Sequence, residues 1–147
     1  MKKDNEITEM VKKITIPETV TKIGDNAFFY HQKLTTIFIP NSVTSIGSSA
    51  FANCTSLIEV TIPKSVLSIG NHCFNGCKSL KEVVVLSTQV EFGDAVFYDC
   101  NELKTVAMYV NNQKNKKCPF NICKSLVNLK ILTTIIKKSM NLRGNKS

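Results

Sequence analysis

The sequence predicts a repeat protein in which coils of 23 residues stack into a solenoid. The prediction depends on three residue types, proline, phenylalanine and leucine, that recur at one spacing. The members of each set lie 23 residues apart: Pro17, Pro40 and Pro63; Phe28, Phe51, Phe74, Phe97 and Phe120; Leu34, Leu57, Leu80, Leu103 and Leu126. A fixed period of this length is the signature of repeat architectures.

Each coil begins with a short strand. Val60 and Ile62 alternate with polar residues, which is the period of a strand with one buried face. Pro63 ends the strand because it has no N–H to donate to a neighbour. Val66 and Ile69 then turn inward again and predict a second short extended segment.

The rest of the coil is predicted to turn back under the core. Gly70 is expected to supply a turn with positive φ. Residues 71–79 are expected to form a short helical turn or a piece of 3₁₀ helix that buries Cys73, Phe74 and Cys77. One coil buries too few apolar side chains to offset the ordering of its backbone, so the coils must share a core. The side chains expected to be buried in one coil are those of Val43, Ile46, Ala50, Phe51, Cys54, Leu57, Val60 and Ile62.

At this level of detail the repeat resembles a known family. The BspA-like leucine-rich repeat is similar to the pattern Ala50-Phe51-x-x-Cys54-x-x-Leu57-x-x-Val60-x-Ile62-Pro63-x-Ser65-Val66-x-x-Ile69-Gly70. The resemblance is strong over residues 11–108 and weak over 118–132. It implies an α/β repeat fold, a right-handed, β-rich leucine-rich-repeat solenoid with a parallel concave sheet and short helical turns on the convex side. It also implies a role as a surface adhesin, as in family members from microbes or parasites. It assigns no catalytic residues to this chain.

The 147 residues are expected to form a single leucine-rich-repeat domain. Its parts are a partial N-terminal coil (1–16), regular coils (17–108), a degenerate coil after a polar loop (109–132) and a basic C-terminal cap or tail (133–147). The sequence shows neither a signal peptide nor a transmembrane segment, so the cytoplasm is the default location. Family resemblance makes surface association the alternative location.

Charge is distributed unevenly along the chain. Residues 1–110 hold 10 lysines and 11 acidic residues, a net charge of −1, whereas residues 111–147 hold 8 lysines, one arginine and no acid, a net charge of +9. An alternative function is therefore binding of nucleic acid or anionic membrane. The residues that would do so are Lys114, Lys116, Lys117, Lys137, Lys138 and Arg143.

The favoured function is non-enzymatic protein binding, as an adhesion or scaffold module, by a chain expected to be a monomer. A repetitive open sheet suits extended protein contacts. The partner-binding residues would be Thr36, Phe38, Glu59, Thr61, Glu82 and Val84, which point outward from the strands. Phe38 is the largest apolar group in this set and is the expected anchor.

No catalytic residues, cofactor or metal site are predicted. Glu59 and Glu82 have the spacing of a carboxylate pair, but they would lie on an open sheet without a cleft to desolvate either of them. The six cysteines are expected to be free thiols that react only after unfolding. Four of them, Cys54, Cys77, Cys100 and Cys123, occupy one inward position of the repeat, where cysteine acts as a small hydrophobe.

Overall fold

The computed structural model describes residues 11–109, 119–120, 123, 125 and 128–131, the last four as backbone. It is a parallel-strand solenoid of about four turns with about 23 residues per coil. Its strands are β1 (Lys13–Thr15), β2 (Lys22–Ile23), β3 (Thr36–Phe38), β4 (Ser45–Ile46), β5 (Glu59–Ile62), β6 (Ser68–Ile69), β7 (Glu82–Val85), β8 (Glu91–Phe92), β9 (Thr105–Met108) and β10 (Asn128–Ile131).

One side of each coil contributes a strand to what we term the long-strand sheet, formed by β1, β3, β5, β7, β9 and β10. The sheet has two parts, a pair of order β1-β3 and a four-stranded part of order β10-β9-β7-β5. Paired residues lie 23 positions apart, as in Ile62 with Val85. The predicted stacking of equivalent residues is thereby confirmed, while the handedness and the concave curvature of the sheet stay predictions.

A second parallel sheet runs along the neighbouring side of the solenoid. Its order is β2-β4-β6-β8, and Ile46 pairs with Ile69 in it. The second extended segment predicted after each proline is therefore present. Both sheets turn their alternate apolar residues toward one interior.

The predicted short helical turns are wrong. The described residues contain no helix, and the segments concerned are successive turns. Two residues of each turn segment have left-handed backbone, such as Asn26 (φ 57°) and Tyr30 (φ 66°). Alternate N–H groups also leave the segment: Phe51 N–H donates to Cys73 O of the next coil at 2.8 Å, whereas Ala52 N–H donates to Ser49 O at 3.2 Å. A helix needs right-handed φ and i−4 acceptors throughout, so neither condition is met.

The repeated glycine has a different role from the predicted one. Gly70 does not have a positive φ. A Cβ at this position would lie 2.4 Å from the backbone nitrogen of Ser48 in the preceding coil. Glycine is therefore required at Gly70 because the stacked backbones approach closely, and not because the turn needs positive φ.

The interior matches the predicted core. The side chains expected to be buried in one coil are 0–2% exposed: Val43, Ile46, Ala50, Phe51, Cys54, Leu57, Val60 and Ile62. The phenylalanines form a stack along the axis, with ring centroids of Phe51 and Phe74 5.2 Å apart and an angle of 4° between the rings. Equivalent residues thus pack on one another from coil to coil.

Candidate functional site

The outward side of the long-strand sheet, which we term the long-strand face, carries the predicted partner-binding residues. Strand alternation places them there, because β5 is exposed at Glu59 and Thr61 and buried at Val60 and Ile62. Register then aligns them into two rows. Glu59 pairs with Glu82, and Thr61 pairs with Val84.

Phe38 stands out on this face. Its side chain is 56% exposed, although it belongs to a strand whose central residue, Ile37, is buried. Around it lies a depression of about 490 Å³, lined by Lys13, Thr15, Thr36, Ile37, Phe38, Ile39, Glu59 and Thr61. Four of the six predicted residues therefore line one depression. Glu82 and Val84 continue the surface on the next strand and are half-buried.

The depression lies where the long-strand sheet is interrupted. β1 pairs with β3 and β5 pairs with β7, but no ladder joins β3 to β5. In place of a ladder, Ile58 N–H donates to Thr35 O at 3.3 Å, just before the two strands begin. The second sheet stays continuous across the same coils, because β4 pairs with β6. This interruption between β3 and β5, which we term the seam, is confined to the long-strand face. Sequence periodicity gave no sign of it.

The two carboxylates of the face are adjacent. Glu59 is exposed, Glu82 is half-buried, and they are direct partners in the parallel register. Neighbouring strands lie about 4.8 Å apart, so the two glutamate side chains project from the sheet next to each other. Within the described part of the chain neither carboxylate has a hydrogen bond or an ion pair.

Cysteine forms a buried column beneath the turns. Thiols of this column donate hydrogen bonds to the carbonyl of a phenylalanine 26 residues earlier, at 3.2–3.3 Å: Cys54 to Phe28, Cys77 to Phe51 and Cys100 to Phe74. Desolvation by burial raises the pKa of Cys54 to about 12, and it raises the pKa values of Cys73, Cys77 and Cys100 as well. A protonated, buried thiol is unreactive, so this column belongs to the core.

Three further points concern the basic residues, metal binding and membrane spans. The alternative site, consisting of Lys114, Lys116, Lys117, Lys137, Lys138 and Arg143, lies outside the described residues. Among the described residues no group of three His, Cys, Asp or Glu side chains could hold a metal ion. The same part of the chain has no helix long and apolar enough to span a membrane.

Sequence reasoning missed a group of exposed aromatic residues on the turn side. Phe29, Tyr30 and Tyr98 are 45%, 57% and 55% exposed. The signal was available, because the residues 23 positions from Phe29 and Tyr30 in the next coil are Ala52 and Asn53. A large ring at a position that is otherwise small or polar has no neighbour to cover it.

Comparisons with known proteins agree with this architecture. The model of the BspA type leucine-rich repeat region matches residues 6–127 in six copies. The chain belongs to the BspA-type leucine-rich repeat family. No curated protein matches it.

Solved structures of bacterial leucine-rich repeat proteins are similar to this family member. One from Bacteroides ovatus has a TM-score of 0.70 and 26% identity over 84% of this chain and 32% of that one. The T. pallidum protein TpLRR has a TM-score of 0.68 and 28% identity over 88% and 69%. The pneumococcal vaccine antigen PcpA has a TM-score of 0.68 and 25% identity over 90% and 33%. The chain thus spans about a third of the first and the last of these proteins.

Proposed function

We propose that this BspA-type repeat is a non-enzymatic module that binds a protein through its long-strand face. The observation that supports this most directly is Phe38, an exposed ring in a depression whose other outward side chains are polar. Aromatic anchors of this kind supply most of the binding energy of protein interfaces. Thr36 and Thr61 beside it supply hydrogen-bonding groups that help to orient a partner.

The shape of the face also favours a macromolecular partner. The face continues from β1 to β9, and Val84 extends its apolar part beyond the seam. Extended repeat surfaces of this kind suit partners that contact several coils at once. These features support a protein as the partner, and binding by a monomeric chain is part of the proposal.

The family supports a role as a surface module, in adhesion or as a scaffold. One similar structure is described as a pneumococcal vaccine antigen. The present chain shares the fold of that antigen at 25% identity. Surface association of this chain is part of the proposal.

Capture of a partner by the purified chain tests the proposal. Phe38→Ala should abolish capture, whereas Tyr98→Ala, which truncates an equally exposed ring on the turn side, should leave it intact. Both variants should unfold at the urea concentration of the parent chain, because both side chains are exposed. Equal capture by the parent chain and by Phe38→Ala would refute the proposal.

A variant in which all six basic residues of the alternative site are replaced by glutamine tests the electrostatic alternative. Its basis is the net charge of +9 over residues 111–147. Binding that falls steeply with salt and disappears in this variant would favour nucleic acid or anionic membrane as the partner. Salt-insensitive binding that requires Phe38 would favour the long-strand face.

A further inference from the structure

We propose that the segment bound by the long-strand face is an extended peptide with a lysine or arginine close to an apolar residue. This inference rests on the proposed function and adds the chemistry of the partner. It is drawn from the arrangement of Phe38, Glu59 and Glu82 around the seam between β3 and β5.

The carboxylates select a cation. Glu59 and Glu82 are register partners on strands that lie about 4.8 Å apart. Like charges directly opposite one another destabilise a sheet. Neither Lys13, which lies on the same face, nor Lys81, the neighbour of Glu82, forms an ion pair with them in the described part of the chain. An ammonium or guanidinium group placed between the carboxylates relieves this repulsion.

The ring of Phe38 favours an apolar residue in the peptide, close to its cationic residue. Phe38 lies one strand from Glu59 and two residues further along the strand direction. Strand spacing and rise together place the two Cα atoms roughly 8 Å apart. In an extended peptide, residues i and i+2 lie about 6.8 Å apart on one side of the chain. One such pair therefore reaches both Phe38 and the carboxylates.

The distance between the two contacts favours an extended main chain. Phe38 and Glu59 lie on β3 and β5, the two neighbouring strands that no ladder joins. A peptide that contacts Phe38 with one residue and the carboxylates with the residue two positions away crosses between these strands in an extended conformation.

Three synthetic peptides test the inference against the full ¹⁵N-labelled chain by chemical-shift titration. The probe is GLSKGLSKG, and its matched controls are GLSEGLSEG, which reverses the charge, and GSSKGSSKG, which removes the apolar group. The probe should shift the amides of β3, β5 and β7. Each control should bind at least roughly tenfold more weakly, because it loses one of the two contacts.

Variants of the chain locate the contacts. Glu59→Gln with Glu82→Gln should weaken the probe roughly tenfold and remove the salt dependence of its binding. Tyr98→Ala is the matched control and should leave the titration unchanged. The double glutamine variant should also unfold at a higher urea concentration than the parent, whereas a structural role for the carboxylates would lower it.

The outcomes separate this inference from the proposed function. Equal binding of the lysine and glutamate peptides, or no shift at β3 and β5 with the probe, would overturn the inference. The Phe38→Ala capture experiment decides the proposed function independently. Capture that depends on Phe38 together with peptides that bind without regard to charge would leave the proposed function in place and remove the inferred partner chemistry.

Discussion

Replacing Gly70 by alanine tests the close stacking of the coils. A Cβ at Gly70 would lie 2.4 Å from Ser48 N and 2.7 Å from Gly47 C, both backbone atoms of the preceding coil. Gly24 occupies the same position of the first full coil, and a Cβ there would meet none of the described residues within 4 Å. Neither glycine has positive φ, so the two variants differ in their contacts and not in backbone strain.

The size of the effect follows from the geometry. An ordinary contact begins at 3.4 Å, so the two coils must separate by the 1.0 Å that lies between 2.4 and 3.4 Å. Gly70 N–H donates to Ile46 O at 2.8 Å beside this contact, and such a separation breaks that bond. One or two lost hydrogen bonds, each leaving a buried group unsatisfied, cost about 2–4 kcal/mol. Gly24→Ala should instead stabilise the chain by about 0.4–1 kcal/mol, because it restricts the unfolded state.

Urea unfolding followed by circular dichroism measures both variants, with the free energy of unfolding obtained by linear extrapolation. We expect Gly70→Ala to shift the midpoint down and Gly24→Ala to keep or raise it. If Gly70→Ala unfolds at the same urea concentration as Gly24→Ala, the coils are not in backbone contact at this position and the reasoning fails.

Two further predictions concern single side chains. Tyr30→Asn should raise the free energy of unfolding by about 0.5–1 kcal/mol, because Tyr30 has left-handed backbone (φ 66°), which asparagine tolerates better. Tyr98→Asn is the control, since Tyr98 is equally exposed without positive φ, and urea midpoints that move equally in both would contradict the explanation. Burial raises the pKa of the Cys54 thiol from 9.0 to about 12. The unfolded chain therefore releases a proton above pH 9 that the folded chain keeps, and stability falls with rising pH by a slope that approaches about 1.4 kcal/mol per unit between pH 10 and 11 for this thiol. Cys54→Ser should reduce the slope of stability against pH in that range by this amount in urea titrations, and an unchanged slope would rule out the burial of this thiol.

The period of 23 made most of the fold predictable from the sequence. Once Pro40 and Pro63 are aligned, Ile62 and Val85 must occupy equivalent places in neighbouring coils, and the structure pairs them. The same alignment identified the buried residues, because an interior position in a stack contacts its own equivalents above and below it. Local propensity contributed little to these predictions.

The turn segments show where this reasoning fails. Residues 71–79 are compatible with a helical turn by composition, yet His72 and Gly76 have left-handed backbone. Their N–H groups donate to Asp94 O and Tyr98 O of the next coil, both at 2.8 Å. The conformation is set by acceptors 22 residues away, so a local pattern could not have revealed it. The role of Gly70 was misjudged for the same reason, since its constraint comes from the preceding coil.

The sequence predicted which residues of the candidate site point outward, but it did not predict the depression that they surround. Alternation along β5 identified Glu59 and Thr61 as outward residues. The seam between β3 and β5 and the depression around Phe38 depend on the geometry of two neighbouring coils. A repeat alignment treats all coils as equal and cannot show which pair of them is interrupted.

The contrast between the interior and the long-strand face indicates where specificity resides. Interior positions stay apolar throughout, and one of them holds the same residue in Phe51, Phe74 and Phe97, whose rings stack on one another. A row of the face instead reads Lys13, Thr36, Glu59, Glu82 and Thr105. Stacking does not explain this variation, since the outward side chains are free of the core. The aromatic ring, the seam and the carboxylate pair all lie on β3, β5 and β7, so binding energy should concentrate on these three strands.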